Sequence, residues 1–446
     1  MENKVLILGA GLVAQPIVRY LLQEGMKVSV ASNTPDNAAS MINHHANGNV
    51  IDWSVDDEVA LDKMIAEHDI VVSLLPWVFH LTVAKYALKN KTNMVTASYV
   101  KPEMQALDAQ AKEASIIILN ELGLDPGIDH MSAMRIIDHV HDKGGKVEEF
   151  YSLCGALPAP EAANNPFGYK FSWSPKGVVL AGNNDGKYLK KGKVIEVPTR
   201  DLFKDIFKLN FKNVGVLDVY PNRDSLPYIE IYGIPEAKTM FRGTFRYKGW
   251  CEALDAIKQL TLISDEKHDF TGKTYAEMMA MMIGSAKTEN IRQQVADYLK
   301  LDMKAAALDS IEWLGLYENN AMNRGVESTF EITSDLMIAK MELGKNERDM
   351  VVMQHIFLAS YPEGKKEVIK SSMLDFGTLA TDTSIARTVA LPAAMGVKLI
   401  LQNKIHVKGV HIPVIPEIYN PILDELETLN IKMVEEYGLP ESENIS

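Results

Sequence analysis

The stretch Val5-Leu6-Ile7-Leu8-Gly9-Ala10-Gly11-Leu12-Val13-Ala14 sets four apolar residues directly before a glycine turn. Beyond it, Val13, Ile17, Val18, Leu21 and Leu22 recur at helical spacing, so the stretch reads as buried strand, tight turn and helix start. Gly9 permits the turn, Gly11 leaves room for a pyrophosphate against the backbone, and Ala14 lets helix and strand pack closely. The helix N-terminus adds N–H groups and the positive end of its dipole. Glycine turns that bind nothing are common, so the context has to carry the reading.

That context is a series of short apolar runs separated by helical patterns. The runs are Val5–Leu8, Lys27–Ala31, Asn49–Asp52, Ile70–Leu75, Asn93–Ala97 and Ser115–Leu119, with Val83, Tyr86 and Ala87 marking one of the helices between them. The alternation predicts a Rossmann-type, doubly wound parallel sheet of α/β class, with ligands beyond the carboxyl ends of the strands. The end of the second strand reports which dinucleotide fits. It reads Ala31-Ser32-Asn33-Thr34-Pro35, with no acid before Asp36 to take a ribose 2′-hydroxyl, and this favours NADP(H). Asp52-Trp53 is expected to flank the adenine, and Leu74-Leu75-Pro76-Trp77 to reach the nicotinamide ribose, with plain packing as the competing role for Trp77. The expected cofactor contacts are Gly9, Gly11, Leu12, Val13, Ser32, Asn33, Asp52, Trp53, Leu75, Pro76, Ser98 and Leu124.

The sixth run leads into Asn120-Glu121-Leu122-Gly123-Leu124-Asp125-Pro126-Gly127-Ile128-Asp129-His130. Asp125-Pro126-Gly127 is a turn, and Asp129 is the expected N-cap of a helix carrying Met131, Met134, Ile137 and Val140. Asp125 thus emerges at the carboxyl edge of the sheet, where it either serves chemistry or only stabilises its turn. A strand over Lys146–Cys154 precedes a Pro-, Gly- and Asn-rich stretch, residues 155–166, read as a long loop. Arg223, Arg242 and Arg246 follow, the bidentate donors that an acidic ligand requires, though each alone reads as a surface residue. From Trp250 to about Asn323 the pattern is helical, with Met278, Met279, Met281 and Met282 as core filling. Strand-like runs Asp349–Ser360 and Glu367–Asp375 flank a turn, and helices over Thr383–Gln402, interrupted by Pro392, and Pro421–Leu429 follow.

This gives a nucleotide domain over residues 1–124 completed by 383–446, a mixed-sheet α+β substrate domain over 125–249 and 330–382, and a helical insertion over 250–329. A net charge of -13 argues against nucleic acid and anionic membrane as partners. The N-terminus Met1-Glu2-Asn3-Lys4 leads straight into the first strand, and no apolar stretch approaches the ~18 residues of a membrane helix. With only Cys154 and Cys251, the chain suits a reducing compartment, and the cytoplasm is expected. His44-His45, His130, His139 and His141 share no face, so no metal site is expected.

Several further runs are distinctive: Gly9–Pro16, Asn120–His130, Cys154–Glu161, Gly168–Ser174, Tyr220–Ser225, Arg242-Gly243-Thr244 and Glu347–Val351. In these the chain resembles the saccharopine reductases, the NADP-dependent, glutamate-forming saccharopine dehydrogenases of lysine metabolism. The resemblance spans nearly the whole chain. It implies that 2-aminoadipate 6-semialdehyde and L-glutamate join through an imine, which NADPH reduces to saccharopine, and that the enzyme is a homodimer. It further implies that Arg223, Thr244 and Ser98 hold carboxylates, that Asp125 pairs with the amine, and that Cys154 and Trp173 shape the pocket. Tyr99 would relay a proton, making Asp125, Tyr99 and Cys154 the catalytic set. Fungal-type members tend to carry Arg where this chain has Asn33 and Gly where it has Ala156. Two other readings stand beside it. A carboxynorspermidine- or homospermidine-type imine reductase would want acids where Arg223, Arg242 and Arg246 stand. A non-catalytic NADP-binding sensor or scaffold would need no polar pocket.

Overall fold

Aliphatic and β-branched runs form the strands β1 (Lys4–Leu8), β2 (Lys27–Ser32), β3 (Gly48–Asp52), β4 (Ile70–Ser73), β5 (Asn93–Val95) and β6 (Ile117–Leu119). A further strand, Gly409–His411, pairs in parallel with β6. The sheet therefore has seven strands, in the order β3-β2-β1-β4-β5-β6 and then Gly409–His411, and every adjacent pair is parallel. This is the doubly wound order, which reverses between β1 and β4. All residues of β4 and β6 are buried, as strands covered on both faces by helices must be. The seventh strand escaped sequence reading because Gly409-Val410-His411 carries only one apolar side chain.

A computed structural model describes residues 3–445; Met1 and Glu2 of the N-terminal reading lie outside them. The chain divides into two compact units, residues 1–147 with 358–446, and residues 148–357. In the first unit the helix Gln15–Gln23 leaves the glycine turn and packs on the late helix Ser384–Leu401. Arg19 beside it forms an ion pair with Asp382.

The second unit is built around β7 (Lys146–Pro158), the hairpin β8 (Gly186–Lys190) and β9 (Lys193–Val197), β10 (Phe207–Phe211), β11 (Gly215–Pro221) and β12 (Thr239–Arg246). With β13 (Lys267–Asp269) and β14 (Val326–Ser328) forming a separate pair, β15 (Asp349–Ser360) follows β7 in the order β10-β11-β12-β7-β15, and the sheet continues through Lys366–Phe376 and Val434–Leu439. The β12–β7 pair is parallel and β10–β11–β12 antiparallel, so the sheet is mixed. Helices Trp250–Gln259, Tyr275–Met282, Ile291–Leu299 and Ala306–Leu314 form the helical segment, with Met278 and Met279 fully buried.

Four local expectations are corrected. Strand β7 continues to Pro158, so Gly155–Pro158 are not loop; a Cβ on Gly155 would lie 2.8 Å from that of Phe245, and the glycine is there for close packing. Asp129 is not an N-cap. The helix begins at Ile128, and the Asp129 carboxylate reaches back 2.6 Å to the Gly127 N–H. Pro392 lies inside the helix Ser384–Leu401 without ending it, because burial of most of that helix outweighs one lost backbone hydrogen bond. The same helix is long and apolar enough to cross a membrane, at mean hydropathy 1.4, against the expectation of no such stretch, yet 78% of it is buried inside the protein. It is a core helix.

The turn before the helix Ile128–Asp142 depends on one glycine. Gly127 has φ 147°, and a Cβ there would stand 2.0 Å from the Gly123 carbonyl oxygen. Gly127→Ala should therefore destabilise the first unit by at least about 2 kcal/mol. Urea unfolding followed by fluorescence measures this, and an unchanged midpoint would refute the steric argument.

Candidate functional site

At the carboxyl end of β1, Gly9 has φ 106° and donates its N–H to the Ala31 carbonyl at 2.9 Å. A Cβ on Gly9 would meet the Leu74 carbonyl at 3.2 Å, so the protein itself requires glycine there. Gly11 differs. It is exposed, and a Cβ on it would meet no atom within 4 Å. The space is open to a ligand and not used by the fold. The helix Gln15–Gln23 has no side-chain cap and no acidic residue in its first turn, so its positive end faces that space uncompensated. Ala14 is fully buried, Leu12 is 68% exposed and Val13 half-buried. These features fit a bound pyrophosphate.

Around the turn, the Ser32 hydroxyl is buried and accepts the Thr34 N–H at 3.1 Å, while Asn33 and Asp52 are exposed. Trp53 is buried in the core with Leu61 and Val71, and its indole N–H donates to the Asp57 carbonyl at 3.0 Å. Leu75 is half-buried, Pro76 is exposed, and Trp77 is 63% exposed with the Lys101 ammonium 5.0 Å from its ring. Sequence reading passed over Lys101, since a lone lysine before a proline carries no pattern.

The loops after β5 and β6 carry the polar groups. The Tyr99 hydroxyl donates to the Asp125 carboxylate at 2.9 Å, which brings these two expected residues together. Ser98 lies 2.8 Å from Nε2 of His80, whose Nδ1 lies 2.8 Å from the Ser73 hydroxyl. Burial pushes the His80 imidazole down to about 4, so it is neutral at ordinary pH. Leu124 is buried, and Asp125 half-buried. Sequence reading missed His80, which looks like one polar residue on an apolar helix.

In the second unit, the strand register sets Cys154 on β7 beside Thr244 on β12, and Thr244 beside Tyr220 on β11. Arg242 and Arg246 lie on the same face of β12, alternating with Gly243 and Phe245. Both are buried. The Arg242 guanidinium stacks 4.2 Å from the Tyr228 ring, and Arg246 stands 4.9 Å from Tyr169, 5.3 Å from Trp250 and 5.8 Å from Tyr220. Among the described residues Arg246 makes no ion pair, and its buried Nε has no hydrogen-bond partner. Trp173 is half-buried; Arg223 is exposed, with φ 58°, on the loop after β11. The structure thus clusters Cys154, Thr244 and Arg246, and places Arg223 at the surface near the end of the same strand set.

Comparison with known proteins gives this arrangement its family. Residues 5–119 match the saccharopine dehydrogenase NADP binding domain, and residues 123–431 the saccharopine dehydrogenase C-terminal domain. The chain belongs to the saccharopine dehydrogenase family. Its first strands and glycine turn are that family's NADP-binding domain, so the chain is an NADP-dependent oxidoreductase of lysine metabolism. It is 38% identical to the NADP+, L-glutamate-forming saccharopine dehydrogenase of Saccharomyces cerevisiae, over 96% of this chain and 97% of that one. It is 36% identical to the enzyme of the same name from Pyricularia oryzae, over 99% of each chain. It also matches 47% of the mitochondrial alpha-aminoadipic semialdehyde synthase of Bos taurus at 37% identity. An apo saccharopine dehydrogenase (L-Glu forming) from S. cerevisiae superposes with TM-score 0.90, covering 98% of this chain and 99% of that one.

Two outcomes follow from the site. Gly11→Ala should leave the unfolding temperature unchanged, because its Cβ meets no protein atom, and weaken NADPH binding by about tenfold, ~1.4 kcal/mol. Fluorescence titration with NADPH checks it; unchanged affinity would show that nothing approaches Gly11. The depressed His80 pKa makes the unfolded chain the better proton acceptor between pH ~6.5 and about 4. Stability is then unaffected above pH ~6.5 and falls as pH drops through that window, by up to ~1.4 kcal/mol per unit. His80→Gln should flatten that slope in melts recorded across the window, and an unchanged slope would refute it.

Proposed function

We propose that the protein interconverts saccharopine with L-glutamate and 2-aminoadipate 6-semialdehyde. In the reductive direction the glutamate amine condenses with the aldehyde, water leaves, and the imine carbon receives hydride while its nitrogen is protonated. NADPH, held at the glycine turn, supplies that hydride. The observation that carries the acidic-substrate reading is Arg246, a buried cation without a carboxylate among the described residues. A buried charge demands a counter-charge, and a ligand carboxylate meets the demand. A diamine would add repulsion at Arg246 and Arg242.

In the first unit, Asp125 pairs with the substrate amine and Tyr99, hydrogen-bonded to it, moves the proton. Ser98, Leu124 and the residues around the glycine turn contact the cofactor, with Asn33 at the 2′-phosphate; Trp53 supports that end from beneath. In the second unit, Thr244 and Arg223 bind carboxylates, and Cys154 and Trp173 shape the surface around them. With this reading go a homodimer and a cytoplasmic location. Cys154 and Cys251, which form no disulfide, support a reducing compartment, and light scattering tests the dimer.

Loss of NADPH absorbance is expected with 2-aminoadipate 6-semialdehyde plus L-glutamate and not with the semialdehyde plus putrescine. The reverse result would move the protein to polyamine chemistry, and binding of NADPH without turnover of either pair would make it a sensor. Arg223→Ala should raise the saccharopine Michaelis constant roughly tenfold or more, as loss of a charge-assisted contact does, with NADPH affinity retained. An equal loss of NADPH affinity would place Arg223 elsewhere.

A further inference from the structure

Within the run Asn120–His130, Glu121 is engaged on every side. Its backbone has φ 59°, an unusual conformation for a residue with a side chain. Its N–H donates to the Ser98 carbonyl at 3.1 Å, and its Oε1 accepts the Val100 N–H at 2.9 Å. One residue thus grips the chain immediately before and immediately after Tyr99. Its second oxygen, Oε2, lies 2.7 Å from Nε2 of His130, and the side chains of His130 and Glu121 are 0% and 6% exposed. His130 sits on the helix Ile128–Asp142, whose first turn is fixed by the Asp129 carboxylate on Gly127 N–H. The turn that precedes this helix carries Asp125, the acceptor of the Tyr99 hydroxyl.

From this geometry we propose that Glu121 is a positioning residue for the reaction, holding Tyr99 in register with Asp125 through its grip on Ser98 and Val100 and its anchor on His130. The inference rests on the reading of Tyr99 and Asp125 as the proton-moving pair. A carboxylate of this burial is expensive unless both oxygens are satisfied, and here both are, which fixes its orientation. The loop after β5 has no helix or strand of its own around Tyr99, so without Glu121 the Val100 N–H loses its partner and the tyrosine loses its register. Misplacement of a reacting group by an ångström costs on the order of 10²-fold in rate.

A double-mutant cycle on kcat tests this with the full-length enzyme. Glu121→Ala should lower kcat on the order of 10²-fold with KM for NADPH unchanged. Glu121→Gln, which keeps an acceptor for Val100, should restore most of the rate. Tyr99→Phe combined with Glu121→Ala should be no slower than the slower single variant, since both remove the same function. Multiplicative losses, full activity in Glu121→Ala, or a Gln variant as slow as the Ala variant would overturn the assignment. Tyr99→Phe at the wild-type rate would instead sink the reading of Tyr99 itself, and this inference with it. Should Glu121→Ala fail to fold, Glu121→Asp, which withdraws the carboxylate by one methylene, takes its place in the cycle.

Discussion

A parallel sheet with helices on both faces buries its central strands almost completely, and this constraint governs the first unit. Apart from Ser73 at the end of β4, the interiors of β1, β4 and β6 are apolar and enclosed, so polar groups gather at and beyond the carboxyl ends of the strands. Gly9 and Gly11 follow β1, Ser98 and Tyr99 follow β5, and Glu121 and Asp125 follow β6. The polar groups are close because the strands are adjacent, and the strands are adjacent because their apolar runs have nowhere else to go. The two glycines divide the work. Gly9 is demanded by the protein's own backbone, whereas no protein atom would oppose a side chain at Gly11.

The second unit solves a different problem, that of keeping positive charge in a dry interior. Arg242 stacks on the Tyr228 ring and Arg246 lies among three aromatic rings, whose faces offer partial compensation at small desolvation cost. For Arg246 that compensation is incomplete among the described residues. Tyr169, Tyr220 and Trp250 surround the guanidinium, whose Nη1 donates to the Phe245 carbonyl at 2.9 Å, and no carboxylate pairs with it among the described residues.

The six strands lying within apolar runs and the helices Gln15–Gln23 and Ile128–Asp142 were legible in the sequence because their apolar patterns survive without neighbours. The strand Gly409–His411 was not, since Gly-Val-His offers a single apolar side chain where Ile117-Ile118-Leu119 offers three. Residues 155–158 read as loop because Gly and Pro usually break strands, and only the approach of Phe245 explains the glycine. The glycine turn, Tyr99 and Asp125 could be named from sequence and family likeness. His80, Lys101 and Glu121 could not. Each is a single polar residue whose meaning lies in partners 16 to 24 positions away or across a turn, as with Ser98 for His80 and Val100 for Glu121.

The pairing of the helix Gln15–Gln23 with Ser384–Leu401 has a consequence for how the protein is made. The helix Gln15–Gln23 leaves the ribosome some 360 residues of translation before its partner emerges. At roughly 5–20 residues per second that is a delay on the order of half a minute, during which its apolar face is uncovered. The late partner is apolar enough to resemble a membrane span when unpacked. Until the two meet, the nascent chain leaves two apolar surfaces uncovered, and the nucleotide-binding unit cannot close before the late helix has been made.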